Sequence, residues 1–71
     1  MSGIDAIRVT GTVIEALPKG RFRVELANGH RVIARVLRRD ADRFVGIEVK
    51  SELGLRVSPG DMSQGVVETV F

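Results

Sequence analysis

Apolar and polar residues alternate with period two over much of this chain, and glycine and proline interrupt the alternation. From Arg21 to Leu26, Phe22, Val24 and Leu26 alternate with Arg21, Arg23 and Glu25. That is the pattern of a strand with one buried face. Beyond Asn28-Gly29, His30, Val32, Ala34 and Val36 alternate with Arg31, Ile33, Arg35 and Leu37. The two runs read as a hairpin, and its register can be solved from parity. A two-residue turn at Asn28-Gly29 sets Leu26 against Arg31 and Phe22 against Arg35. Arginines then share the buried face with Phe22, at roughly several kcal/mol for each unpaired buried charge. A three-residue loop, Ala27-Asn28-Gly29, shifts the register by one. It puts Gly29 in the left-handed bulge position that glycine adopts freely. Val24 then faces Val32 and Phe22 faces Ala34 on the core side. Outside, Glu25 faces Arg31, a favourable pair, and Arg21 faces Arg35, a repulsive one. Two such arginines either splay into water or share an anion.

The same reading extends in both directions. Ser2 to Ala6 is a short polar lead, expected to fray. Ile7 to Ala16 reads as a long first strand in which Val9, Gly11 and Val13 alternate with Arg8, Thr10 and Thr12, and the pattern slips near Ile14. Gly11 inside a strand marks a strong bend, as a small barrel needs at a corner. Leu17-Pro18-Lys19-Gly20 is a turn. Arg38 to Arg43 is a polar linker with one helical turn, Asp40 near its start. Phe44 to Lys50 alternates again and reads as a strand, with Val45, Ile47 and Val49 on one face. Leu53 to Val57 is a short apolar stretch, Ser58-Pro59-Gly60-Asp61 a turn, and Gly65 to Val70 a last strand.

Five or six short strands in 71 residues, with one helical turn between the third and fourth, predict an all-β, closed five-stranded barrel over residues 1–71 as a single domain. Closure removes exposed strand edges. A long bent first strand, a hairpin, a helix-bearing connection and a closing hairpin point to the OB type, with an SH3-like barrel second. The expected interior is Val9, Val13, Phe22, Val24, Leu26, Val32, Ala34 and Val36.

Charge changes the picture through its distribution. The whole chain is only +2. Residues 20–43, however, hold seven arginines against Glu25, Asp40 and Asp42, a local +4. A basic centre on a near-neutral remainder is a modest footprint for a polyanion. The absence of cysteine excludes disulfides, thiol nucleophiles and thiolate metal sites. A single histidine makes neither a histidine relay nor a multi-histidine metal site. No apolar run approaches the ~20 residues of a membrane span, and no signal peptide is visible. A cytoplasmic protein without membrane contact is expected. Asp40 and Asp42 lack the further oxygen ligands of a calcium loop. Ser58, Ser63 and His30 have no spacing that argues catalysis, and Gly54, Gly60 and Gly65 are separate turn glycines rather than a phosphate loop. The expectation is a non-enzyme with no cofactor, metal or small-molecule substrate.

The segment Gly11–Val36 resembles bacterial translation initiation factor one, an OB-fold family of nearly this length. The residues that carry the resemblance are Gly11-Thr12-Val13, Glu15, Leu17-Pro18, Phe22-Arg23-Val24-Glu25-Leu26, Asn28-Gly29-His30 and Ala34. Pro59, Asp61, Ser63 and Gly65 resemble the family's closing turn at the same offset. Departures lie in the second half. Asp40 and Asp42 interrupt a loop that is strongly basic in the family. Gly46, Gln64 and Val66 stand where bases are usual, Gly60 stands where a tyrosine is usual, and the basic tail is missing. Residues 45–57 barely resemble the family.

The resemblance implies an OB barrel that binds ribosomal RNA of the small ribosomal subunit near its decoding site, alongside other initiation factors. Carried over position by position, it makes Arg23, His30, Arg35, Arg39, Arg43 and Phe44 candidate RNA contacts. The sequence's own arginine pattern adds Arg21 and Arg38. Each also has a plainer role: solvated arginines, a half-exposed turn histidine, a core-plugging phenylalanine. About three phosphate contacts give only a shallow salt dependence. Two other classes stay open. One is a generic single-strand binder using the same arginines with Phe44 as a platform. The other is a diverged or engineered barrel built on the family's scaffold with little or no RNA binding.

Overall fold

Residues 6–71 are described by the computed structural model, so most of the polar lead, residues 2–5, lies outside the described residues. The strands are β1 (Ile7–Leu17), β2 (Arg21–Leu26), β3 (Arg31–Arg35), β4 (Glu52–Ser58) and β5 (Asp61–Val70). One 3-10 turn, Arg38–Asp40, lies between β3 and β4. The strands close into a barrel in the order β1-β2-β3-β5-β4. All neighbours are antiparallel except β3 and β5, whose parallel pairing completes the closure. No helix among the described residues is long and apolar enough to cross a membrane.

The hairpin of β2 and β3 has the register that parity demands. Val24 pairs with Val32, Phe22 with Ala34, Glu25 with Arg31 and Arg21 with Arg35. In the loop, the Gly29 N–H donates to the Leu26 carbonyl at 2.9 Å and the Leu26 N–H to the His30 carbonyl at 2.8 Å. Gly29 has φ +86°. That is the left-handed position of a three-residue bulged loop, where a β-branched residue is strained. Gly29→Val should therefore cost about 1–3 kcal/mol, read as a fall in denaturation midpoint at unchanged m-value. An unaltered midpoint would show that the loop relaxes into another turn.

β1 is the longest strand because its two pairings are staggered: residues 7–12 pair with β4 and residues 11–17 with β2. Gly11 pairs with Leu26 of β2 on one side and Leu53 of β4 on the other. The register against β2 slips between Val13 and Glu15. This bulge at Ile14 explains the break in alternation there, since an extra residue locally increases twist and bends the strand. The buried core is Val13, Val24, Leu26, Val32, Ala34, Leu53, Leu55, Val57 and Val67. Val9, Phe22, Val36, Phe44, Ile47 and Met62 pack against it, half-buried. The small pair Ala34 and Gly65 meets on the parallel seam. A Cβ on Gly65 would stand 2.8 Å from Val57 Cγ1 and 3.2 Å from the Arg56 carbonyl oxygen. The missing side chain at Gly65 thus lets β5 lie close against β4 beside that seam.

The expected strand at Phe44–Lys50 does not form. The segment is a chain of turns, with Val45 75% and Val49 49% exposed. Gly46 and Lys50 take φ +84° and +81°, which no strand accommodates. The fourth strand is instead Glu52–Ser58, read in sequence only as an apolar stretch. One slot is open between β1 and β5, and two alternating segments compete for it. Glu52–Ser58 fills it with Leu53, Leu55 and Val57, all buried. Val45, Ile47 and Val49 offer slightly less apolar surface, and both segments carry one glycine, Gly46 and Gly54. Lys50 and Ser51 still complete the ladder by bonding both backbone groups of Val13, at 2.8 and 2.9 Å. The last strand also begins earlier than expected, at Asp61 rather than Gly65.

Candidate nucleic-acid interface

The barrel's outer face carries a row of arginines that runs across the strands. Arg21 on β2 pairs with Arg35 on β3, Arg35 with Val66 on β5, Val66 with Arg56 on β4, and Arg56 with Arg8 on β1. Their inward neighbours Val32, Ala34, Leu55, Val57 and Val67 are buried, so strand parity sends these four arginines outward. Cross-strand neighbours lie about 5 Å apart. Four cations in one such row gain nothing for folding.

Each arginine has its own surroundings. Arg21 Nε donates to the Pro18 carbonyl at 3.3 Å, which ties its head to the turn before β2. Arg35 has no carboxylate partner among the described residues. Arg8 and Arg56 share Glu68, with Arg8 Nε 3.2 Å from Oε1 and Arg56 Nη1 3.3 Å from Oε2. One carboxylate between two guanidiniums leaves a residual positive charge and most of their N–H donors unused.

Two open clefts flank Arg56. The first, about 600 Å³, is lined by Arg8, Arg39, Arg43 and Arg56 together with Asp40 and Glu68. The second, about 580 Å³, is lined by Arg35, Arg56, Ser58, Asp61, Gln64 and Val66. Arg56 therefore joins the strand arginines to those of the 3-10 turn. In the second cleft the Ser63 hydroxyl and backbone N–H both donate to Asp61 Oδ1. These bonds hold the Asp61 carboxyl below its ordinary range.

The residues singled out in sequence fall into distinct groups. Arg35, Arg39 and Arg43 line the two clefts, and Arg21 stands beside Arg35. Arg38 is exposed on the turn, outside both clefts. Arg43 pairs with Asp40 at 3.3 Å, and its guanidinium lies 4.8 Å from the centroid of Phe44. Phe44 packs against the core, so its ring is engaged by the core and by Arg43. Arg23 is ion-paired with Glu15. His30 sits at the far end of β3, about 17 Å along the strand from Arg35 at ~3.4 Å per residue. Its Nε2–H donates to the Met62 carbonyl at 2.9 Å, tying the hairpin tip to β5. Arg31, next to it, pairs with Glu25 at 3.5 Å.

Arg8 and Arg56 are the site residues that sequence reasoning missed. Arg8 was visible as an outward residue of the first strand. Arg56 lies in the middle of Leu53–Val57, and reading that stretch as strict alternation would have turned it outward. Among the described residues no group of three or more His, Asp or Glu side chains could hold a metal ion.

No family model matches the chain. Among solved structures it is similar to translation initiation factor one from the Wolbachia endosymbiont (strain TRS) of Brugia malayi. The TM-score is 0.73 at 26% identity, over 90% of this chain and 76% of that one. The resemblance read from Gly11–Val36 thus extends to the fold of nearly the whole described chain. The barrel is also similar to part of YjeQ from Thermotoga maritima, at TM-score 0.68 and 21% identity. That likeness spans 92% of this chain but only 23% of YjeQ and bears on the fold alone.

Proposed function

We propose that this barrel is an RNA-binding module of the initiation-factor kind, acting in the cytoplasm on ribosomal RNA of the small ribosomal subunit beside other initiation factors. The observation that carries the reading is the outward arginine row Arg21–Arg35–Val66–Arg56–Arg8, joined by Arg56 to Arg39 and Arg43. Its physical logic is backbone recognition. Arginine forks match phosphate oxygens in a bidentate way, and several cations within one groove follow a folded strand of RNA. Such contacts position the RNA without reading its sequence. The likeness to a bacterial translation initiation factor supports the choice of partner.

A second reading is a barrel that keeps the scaffold and binds little RNA. It is favoured by the acids that already pair with arginines: Glu15, Glu25, Asp40 and Glu68 engage Arg23, Arg31, Arg43, Arg8 and Arg56. Titration with short single-stranded RNA at low salt, together with co-sedimentation on small ribosomal subunits, separates the two. Three to four phosphate contacts should give a slope of about −2 to −3 in log K against log salt, and the chain should pellet with the subunits. Binding to RNA without pelleting would leave a generic single-strand binder. No complex in either assay would leave the scaffold alone.

A further inference from the structure

We propose that Phe71 is a base-stacking platform, set beside the Arg8–Arg56 pair, for an unstacked nucleobase of single-stranded RNA. The inference rests on the RNA-binding reading above and locates a contact on β4 and β5 that neither the sequence pattern nor the fold resemblance assigns.

Of the three phenylalanines in the chain, two are occupied. Phe22 and Phe44 pack against the core, and the Arg43 guanidinium lies over the Phe44 ring. Phe71 is 71% exposed. It is nevertheless held at both ends of the residue. Its backbone N–H donates to the Glu52 carbonyl at 3.0 Å. Its ring atoms Cε2 and Cζ stand 3.5 and 3.6 Å from where a Cβ of Gly54 would be. The ring therefore rests on the bare backbone of a strand glycine, a cover that restores apolar contact where the glycine supplies none. Most of the ring is left to solvent.

The neighbourhood suits a nucleotide. Gly54 is flanked by Thr10 on β1 and Thr69 on β5, short side chains that leave room above the sheet. Two residues along β4 on the same outer face is Arg56, paired across to Arg8. That step is about 7 Å, comparable to the reach of a sugar between its base and its phosphate. Arg39, without a carboxylate partner among the described residues, lines the cleft with Arg8 and Arg56. The register shift on β4 and β5 beside Gly54 leaves Glu68 as the extra residue of β5. Its carboxylate, 26% exposed, lies within ion-pair distance of both guanidinium heads. An aromatic face beside anchored cations is the combination by which single strands are held: phosphates on the charges, a base on the ring.

The test uses two strands of equal length and charge, one of ordinary RNA and one abasic. The chain contains no Trp or Tyr, so Phe71→Trp introduces a single indole at the proposed platform. Its emission should be quenched and shifted by the base-bearing strand and left unchanged by the abasic strand. Phe71→Leu keeps an apolar cover over Gly54 without a π-face. It should weaken binding of the base-bearing strand about five- to a hundredfold, leave the abasic strand's affinity unchanged and leave the salt slope unchanged. The melting temperature of Phe71→Leu controls for a purely structural role. Equal affinities for the two strands, with Phe71→Leu binding as the unmodified chain does, would overturn this inference while the RNA-binding reading stands. If neither strand binds the unmodified chain, both readings fall.

Discussion

Gly11→Ala is expected to lower the melting temperature by about 10–20 °C, corresponding to roughly 2–3 kcal/mol in a domain of this size. A Cβ at this position would stand 2.5 Å from Val24 Cγ1, 2.9 Å from Leu26 Cδ2 and 2.9 Å from the Glu25 carbonyl oxygen. The side chains could rotate in principle. The carbonyl belongs to β2 and cannot move without displacing the strand. Relief on the other side is blocked, because Gly11 also pairs with Leu53 on β4. The missing side chain is therefore what lets β1 pair with both neighbours at this position. Gly54→Ala is the matched control. Its Cβ would meet Thr69 Cβ at 3.4 Å and the Phe71 ring at 3.5 Å, ordinary contacts, so it should melt within a few degrees of the unmodified chain, about the effect of a surface substitution. Thermal unfolding followed by far-UV circular dichroism distinguishes the two. Equal midpoints would mean that β1 is not pinned between its neighbours at Gly11.

The irregularity of β1 was legible in the sequence, and so was the hairpin beside it. The slip at Ile14 announces the bulge, and the lone glycine in an alternating strand marks the close approach of β2 at Gly11. Arginines cannot share a face with Phe22, and this alone selected the three-residue loop and the register of β2 against β3. Both inferences depend on local parity, which a one-residue shift reverses completely. The competition between Phe44–Lys50 and Glu52–Ser58 was not legible in the same way. Both segments alternate, and the choice between them is made by what else fits beside β1. Leu53, Leu55 and Val57 exceed Val45, Ile47 and Val49 by only one methylene, so the choice is made by the barrel interior that receives them. The positive φ of Lys50, at a non-glycine residue, is a consequence of that choice and has no signal of its own.

The arginine surface was half legible for the same reason. Arg21 and Arg35 follow from the solved hairpin. Arg8 and Arg56 meet only through the pairing of β1 with β4, and the misassigned fourth strand hid that pairing. Asp40 and Asp42 interrupt the basic run of the linker. In the structure Asp40 pairs with Arg43 and leaves Arg39 to the cleft. Phe44 illustrates the opposite limit. Its identity fitted a stacking role, but its surroundings, the core and Arg43, were set by the turn that carries it.

The arginines without carboxylate partners should dominate RNA affinity. Replacing Arg35 and Arg39 with alanine is expected to reduce the slope of log K against log salt by about 0.7 for each phosphate no longer engaged, and affinity at ~50 mM salt by roughly fiftyfold for the pair. Arg35 and Arg39 are chosen because neither has an acid to release among the described residues when a phosphate arrives. Arg43, in contrast, must leave Asp40 and uncover Phe44. The comparison variant replaces Arg23 and Arg31 and removes the same formal charge. Those two are already paired with Glu15 and Glu25. Arg31 lies near the hairpin tip, about 14 Å along β3 from Arg35 at ~3.4 Å per residue. Beyond a Debye length of ~10 Å at ~0.1 M salt, its charge is largely screened from the clefts. If binding is contact with the arginine row, the first variant loses affinity and slope and the second changes little. If binding is only attraction to the basic centre of the chain, the two variants weaken equally. Equal weakening would remove the geometric basis for assigning the interface to the row that Arg21, Arg35, Arg56 and Arg8 form across the barrel.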